Sequence, residues 1–443
     1  MFLRYLKGLF ISLVSLLLLS QPAWAFCGFY VAKADTELYN QASQVIIARD
    51  GDRTVLTMAN DYQGDVDDFA MVVPVPVVLK EDQVHVGESR IIKRLDDFSA
   101  PRLVEYFDEN PCQVHAFDDF GGGMLRSQTT SAPVPAAALE SAADLGVTIE
   151  EEFSVGEYDI LILSAKESDG LETWLRQNEY QLPDGASDLL KPYIRSKMKF
   201  FVAKVNLEEF DSNGVNELRP LMMAYESPKY MLPIRLGMMN ANQAQDLLVY
   251  ILSPKGQAEV TNYRTVKIPS NVEVPEFVED EFGDFYTTMF ENDYQRQGRN
   301  DIFLEYAWDM SSCDPCSAPN LSKQELKDAG VFWDKDSYIP QVFITRLHVR
   351  YTRDKFPQDL KFHETSNRQF FQGRYVIRHP FRDKEQLTCD AASDYLDRTY
   401  RRQEEEIHTL AKLTGWDKSE IRDKVDFVDT ATPPKGDWWD SIW

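Results

Sequence analysis

The chain has 443 residues, and its 72 Asp and Glu outnumber 47 Lys and Arg, for a formal net charge of −25. So acidic a surface repels nucleic acid and anionic lipid, which are bound through Lys and Arg, and excludes both as partners. With 43% hydrophobic and 12% aromatic residues the chain can bury a large core, and its length fits two or three average domains.

Residues 1–25 have the form of an export signal. Arg4 and Lys7 give a basic start, "LFISLVSLLLL" (9–19) is the apolar stretch, and Ala23-Trp24-Ala25 is a small-x-small cleavage site. The apolar run is short for a retained anchor. Phe26 stands before Cys27 where acylation needs a small residue, which excludes a lipoprotein. Removing residues 1–25 discards Arg4 and Lys7 and takes the charge from −25 to −27. The best later apolar stretch, "MVVPVPVVL" (71–79), is too short to span a bilayer and carries Pro74 and Pro76. The mature chain is therefore expected to be soluble, without a membrane span, and periplasmic or extracellular.

The first part of the mature chain is β-rich. "QVIIARDGDRTVLTMAND" (44–61) is two β-type runs around Asp50-Gly51-Asp52, a hairpin signal. "DFAMVVPVPVVL" follows, with prolines suited to a strand edge or end. Residues 121–143 are rich in Gly, Ser, Thr, Pro and Ala and predict a flexible loop. "GVTIEEEFSVGEYDILILSA" (146–165) predicts two strands about a turn at Gly156. "SDGLETWLRQNEY" predicts a helix with Asp169 and Glu172 at capping-box spacing and Leu171, Trp174 and Leu175 on one face. "KMKFFVAKVNL", "RPLMMAYES", "MLPIRLGMM" and "DLLVYILS" are further strand candidates, and residues 276–297 form an acidic helix candidate.

Strand "DIFLEYAW" then runs into "SSCDPCSAP" (311–319). In "VFITRLHVRY" (342–351), Phe343, Thr345, Leu347, Val349 and Tyr351 alternate with Arg346, His348 and Arg350. Residues 390–416 predict a long helix with Ala392, Tyr395, Leu396, Ile407 and Leu410 on one side, ending near Lys412 and Gly415. The tail "PPKGDWWDSIW" is expected to dock its tryptophans on the body. The fold class expected is α+β, a mainly antiparallel β-sheet core with peripheral helices and a C-terminal helical segment. A β-rich core over 26–300 carries the loop at 121–143, and an α+β region over 301–443 is packed on it.

The opening "CGFYVAKADTELYNQASQVIIARDGDRTVLTMANDYQGDVDDFAMVVPVP" resembles the start of a bacterial family of secreted proteins known only as a domain of unknown function, DUF2330. "VGEYDILILSA", "YMLPIRLGMMNANQAQDLLVYILS", "CDPC" and "RLHVRY" are similar to further parts of the same pattern. The resemblance runs over most of the mature chain. It implies secretion and carries no activity, substrate or site residues.

Three constellations could carry chemistry. Cys313 and Cys316 form C-x-x-C after a strand and an aromatic patch, similar to the thioredoxin active site. A redox pair needs the first thiol ionised, usually at a helix N-terminus. Here Pro319 interrupts the following stretch and Asp314 opposes a thiolate, so a structural disulfide is the plainer reading. No second C-x-x-C or H-x-x-H accompanies it for zinc. The five cysteines, Cys27, Cys112, Cys313, Cys316 and Cys389, make at most two bridges and leave one odd.

From Arg346 to Arg382, nine Lys and Arg face three Asp and Glu. Arg346, His348, Arg350, Arg374, Arg378 and His379 could hold an anionic ligand. The plainer reading pairs them with the chain's own carboxylates. Asp61, Asp65, Asp67 and Asp68 could bind calcium, although their order does not match the D-x-D-x-D-G loop and an ordinary solvated turn is the plainer reading. G-x-S-x-G, HExxH and a phosphate-cradling glycine loop are missing. The expectation is therefore an exported, non-enzymatic protein without cofactor that binds a ligand or an envelope partner. One alternative is a thiol–disulfide oxidoreductase with Cys313 as nucleophile and Cys316 as resolving thiol. Another is a calcium-stabilised binding module.

Overall fold

The structure is a computed structural model and describes residues 29–32, 39–63, 69–113, 146–178, 186–206, 218–239, 244–314, 316–334 and 339–429. The expected signal, Cys27, the loop at 121–143, Asp65, Asp67, Asp68 and the tail tryptophans lie outside these residues, as does the Asp61 side chain.

Along the chain, β1 (Phe29–Ala32), β2 (Tyr39–Asp50), β3 (Arg53–Gln63), β4 (Phe69–Val75) and β5 (Val84–Val86) precede α1 (Ser89–Ser99) and β6 (Arg102–Phe107). β7 (Val147–Val155) and β8 (Tyr158–Ala165) lead to α2 (Ser168–Gln177) and α3 (Ala186–Arg195). Seven strands follow: β9 (Lys199–Val205), β10 (Leu221–Glu226), β11 (Met231–Leu232), β12 (Gln245–Ser253), β13 (Ala258–Val260), β14 (Thr265–Lys267) and β15 (Val272–Glu273). Then come α4 (Phe282–Arg296), β16 (Ile302–Asp309), α5 (Lys323–Asp328), β17 (Phe343–Tyr351), β18 (Leu360–Glu364), β19 (Phe371–Gln372) and β20 (Arg374–His379). The described part ends with α6 (Asp390–Thr414) and α7 (Lys418–Lys424).

Local chemistry explains the main turns. Asp50 pairs with Arg53 across the two-residue turn Gly51-Asp52, and Gly51 takes the left-handed φ of 59° that such a turn requires. Gly156, at φ 58°, closes the β7–β8 hairpin where Val155 pairs with Tyr158. Pro74 sits in β4 beyond the reach of β1, whose pairing stops at Val72, so its missing N–H breaks no bond in that ladder. Gly415, at φ 78°, ends α6 with its N–H on the Ala411 carbonyl. The capping box expected of Asp169 and Glu172 does not form, because α2 starts one residue earlier, at Ser168. Asp169 instead accepts from Ser187 Oγ at 2.6 Å and Ser168 Oγ at 3.2 Å.

The chain divides into two compact units. The first comprises Met1–Ser99, Ser141–Val266 and Arg299–Phe371; the second comprises Ala100–Glu140, Lys267–Gly298 and Gln372–Trp443. In the first unit, a five-stranded sheet runs β1-β4-β9-β8-β7. A nine-stranded sheet runs β14-β16-β17-β12-β2-β3-β10-β5, with β19 on β16. All its main pairings are antiparallel except β12 with β2. Val45, Ile47, Leu247, Val249 and Leu347 of the large sheet meet Met71, Ile160, Ile162 and Phe201 of the small one in the central core. The outer face of the small sheet packs Leu163, Phe200 and Val202 on Leu171, Leu175 and Leu190 of α2 and α3. The outer face of the large sheet packs Ile46, Tyr250, Tyr306 and Ile344 on Ile92, Leu95 and Leu326 of α1 and α5. This unit is therefore helix, sheet, sheet, helix in section. In the second unit, β15-β20-β6 is a parallel sheet whose Tyr375 and Ile377 pack on Phe285, Met289, Ile407 and Leu410 of α4 and α6. The fold is α+β with mainly antiparallel sheet and a C-terminal helical segment, as the sequence predicts.

Among the described residues two disulfides are present, Cys112–Cys389 and Cys313–Cys316. The first joins residues 277 apart inside the second unit, at the N-cap of α6. Chain-entropy scaling gives such a loop a stabilisation of about 5 kcal/mol. The double variant Cys112→Ser/Cys389→Ser is expected to melt at least about 5 °C lower in a calorimetric scan; an unchanged melting temperature would contradict the assignment of this bridge as a structural staple.

Candidate functional site

The basic island meets its partners on the outer face of the large sheet. Strand alternation in β17 sends Leu347 and Val349 into the central core and Arg346, His348 and Arg350 to the opposite face. Its neighbour β12 presents Asp246 opposite Arg350 and Tyr250 opposite Arg346. On the other side, β16 carries a bulge between Leu304 and Tyr306, so Glu305 is the extra residue in that strand. Leu304 faces the central core, so alternation turns Glu305 to the charged face of β17, and the bulge then keeps Tyr306 on that same face.

The contacts are close. Arg346 Nε donates to Glu305 Oε2 at 2.6 Å, and Arg346 Nη1 to Asp96 Oδ1 of α1 at 2.6 Å. His348 Nδ1 lies 2.8 Å from Glu305 Oε1, and its Nε2 lies 3.1 Å from Asp246 Oδ1. Arg350 grips Asp246 through both oxygens, at 2.8 and 2.6 Å. Tyr250 donates to Asp96 Oδ1 at 2.9 Å. Glu305 is 1% exposed and Asp246 6%, so two carboxylates have been taken out of water.

Only a doubly protonated imidazole donates from both ring nitrogens. Burial disfavours the charge on His348, but the Glu305 carboxylate and the hydrogen bonds to Asp246 and Glu305 outweigh it and raise its pKa. Burial likewise works against the Asp246 anion, yet His348 and Arg350 hold its pKa at about 2. With His348 charged, three cations (Arg346, His348, Arg350) balance three anions (Asp96, Asp246, Glu305). The plainer reading of the island describes this part of it: the charges face each other.

Arg374, Arg378 and His379 lie in the second unit, on β20. Arg374 Nε donates to Asn271 Oδ1, and Arg378 Nε to Glu273 Oε1 at 2.5 Å. The structure therefore divides the six candidate ligand residues between two units.

Cys313 and Cys316 are joined to each other. Cys313 packs against the core under α1, and Cys316 is exposed. The helix that would lower a thiol pKa is not at hand, since α5 begins only at Lys323 and is capped by Ser322. The segment after the disulfide is instead fastened to α1. Ser317 Oγ donates to the Asp97 carbonyl at 2.7 Å, Arg94 Nη2 to the Pro319 carbonyl at 3.0 Å, and Arg94 Nε to Glu325 Oε1 at 2.8 Å.

A feature that the sequence does not single out lies on the outer face of the five-stranded sheet. Helix α2 ends part-way across it, and past that end a cleft of about 800 Å³ opens. Leu161 and Val202 from β8 and β9, with Trp174 of α2, supply its apolar side chains. Glu152, Ser154, Asp159, Lys204, Gln177 and Asn178 supply its polar groups. Cross-strand pairing sets these in rows, Glu152–Leu161–Val202 and Ser154–Asp159–Lys204. Ser154 Oγ donates to Asp159 Oδ1 at 2.6 Å. The only sequence signal for this cleft is Trp174 on the apolar face of its helix; Leu171 and Leu175 are buried there and Trp174 is half-buried.

A family profile described as an uncharacterized protein conserved in bacteria (DUF2330) matches residues 21–363. No curated protein and no solved structure matches the chain. Among the described residues no helix is long and apolar enough to cross a membrane.

The charge balance has a pH signature. The His348 pKa is raised above its ordinary value near 6.5, so its stabilisation is complete below about pH 6.5 and is lost as pH rises through the raised value. Asp246 acts at the other end: its contribution is present above about pH 4 and lost as pH falls toward 2. In urea titrations from pH 6 to 9, His348→Gln is expected to lose about 3–5 kcal/mol at pH 6, because two buried carboxylates lose a cation. It should also show a flatter dependence on pH than wild type. A variant with the wild-type slope would refute the assignment.

Proposed function

We propose that this chain, which belongs to an uncharacterised bacterial family, is an exported, non-enzymatic binding protein that holds a saccharide unit in the cleft beside Trp174. The observation that carries the proposal is the convergence in that cleft of an indole, an apolar floor and a ring of small polar and acidic groups. Cavities of about 300–1,000 Å³ are the usual size of small-ligand sites. An aromatic face suits the C–H face of a sugar ring. Carboxylates such as Glu152 and Asp159 accept from hydroxyls, and the Asn178 and Gln177 amides can both give and accept. The two carboxylates outnumber the single cation Lys204, which favours a neutral or amino-bearing ligand over an anionic one.

Export is supported by the signal-like start of the sequence and by two disulfides, which persist in oxidising compartments. The contrast with the island on β17 also supports this choice of site. There, Arg346, His348 and Arg350 are committed to internal partners, so an anionic ligand would have to displace Asp246 or Glu305.

The test uses the mature protein with glucose, galactose and N-acetylglucosamine oligomers, and with glutamate and spermidine as non-sugar probes. Calorimetric titration is expected to find at least one saccharide that binds, with affinity at least about tenfold weaker in Trp174→Ala and in Asp159→Asn. Failure of every saccharide to bind would overturn the proposal, as would saccharide binding that survives Trp174→Ala unchanged.

A further inference from the structure

We infer a divalent transition-metal site in the second unit, formed by Glu105, Glu279 and His379, independent of the cleft in the first unit. One ligand atom from each lies within 4.8 Å of the other two. A metal bonded at about 2.0–2.2 Å to nitrogen and carboxylate oxygen closes that span with small side-chain rotations.

Three elements deliver these groups. β6 and β20 run parallel, with Glu105 opposite Ile377 and Phe107 opposite His379. Their shared face is packed on α4 and α6 at Tyr375 and Ile377, and the same alternation places Glu105 and His379 at its open end. A short 3₁₀ turn, Glu276–Glu279, brings Glu279 to the same place and is anchored by buried Val278.

The surroundings have the form of an outer shell. His379 Nε2 lies 2.9 Å from Glu105 Oε2, on the metal side. Its other nitrogen, Nδ1, lies 3.0 Å from Glu276 Oε1, and Arg382 holds the second oxygen of Glu276 at 2.6 Å. A carboxylate behind a metal-bound histidine fixes the ring and the tautomer in this way. Phe107 stacks on the imidazole at 4.4 Å between centroids and limits its rotation further.

One imidazole and two carboxylates suit zinc or manganese better than calcium, which takes oxygen ligands alone. Three protein ligands also leave coordination positions open to water or to a ligand oxygen.

The experiment is calorimetric titration of chelator-treated mature protein, disulfides intact and no thiol present, with zinc chloride and then manganese chloride. Zinc is expected to bind at one equivalent, with dissociation constant in the micromolar range or below. His379→Gln and Glu279→Gln should each weaken it at least tenfold, and Glu276→Gln should weaken it less. Binding in His363→Gln, which alters an exposed histidine of the other unit, should match wild type. Circular dichroism of each variant excludes unfolding as the cause. Absence of stoichiometric binding would overturn the site, as would binding that persists in folded His379→Gln and Glu279→Gln. Neither result bears on saccharide binding, which is read at Trp174 in the first unit.

Discussion

Charge neutrality inside the large sheet constrains the first unit more than any other interaction. Glu305 and Asp246 are almost sealed from water, and a buried carboxylate survives as an anion only beside well-placed cations. Arg346, His348 and Arg350 meet that requirement only if β12, β16 and β17 keep their present register. A one-residue slip of β17 would turn its cations into the central core and leave both carboxylates unpaired. The bulge at Glu305 adds one residue to the same face, so Glu305 and Tyr306 both stand on the side of the cations. The network therefore fixes the register of the three strands, and its residues are occupied in doing so.

The layered arrangement decides where a ligand can go instead. α1 and α5 cover the outer face of the large sheet over Tyr250, Tyr306 and Ile344. On the small sheet, α2 and α3 cover Leu163 and Phe200, and among the described residues the rows beyond Trp174 remain lined but open. A sheet face that continues past the end of its helix offers apolar area next to alternating polar groups, which is what a small polar ligand needs. The cluster at Glu105, Glu279 and His379 arises by the same geometry in the second unit, where the sheet runs past the helices packed on Tyr375 and Ile377. In both places polar and ionisable groups collect where the packed layers stop.

Much of the local structure was legible in the sequence. The turns at Gly51 and Gly156, the alternation of 342–351 and the long helix ending at Gly415 all follow from short-range chemistry. What joins them is long-range. Arg346 and Asp96 are 250 residues apart, His348 and Asp246 are 102 apart, and Arg346 and Glu305 are 41 apart. β2 and β12 pair in parallel across some 200 residues of chain, and each unit is assembled from three separate segments. Basic residues in one stretch, from Arg346 to Arg382, therefore looked like one patch in the sequence but fall in two units. The cleft at Trp174 was invisible for a different reason, since a tryptophan on an apolar helix face usually signals core. Only the helix length relative to the sheet reveals that it borders open space.

The account's central claim is that the cations of β17 are neutralised within the protein and that His348 is one of them. The most direct measurement is the side-chain nitrogen NMR spectrum of the His348 imidazole in the mature protein, recorded as a function of pH. Charge neutrality predicts both ring nitrogens protonated at pH 6.5, with deprotonation only as pH rises above that ordinary value. An imidazole that loses its second proton at or below the ordinary value would contradict it. Glu305 or Asp246 would then lack its partner, and the basic island would be open again as a place for an anionic ligand.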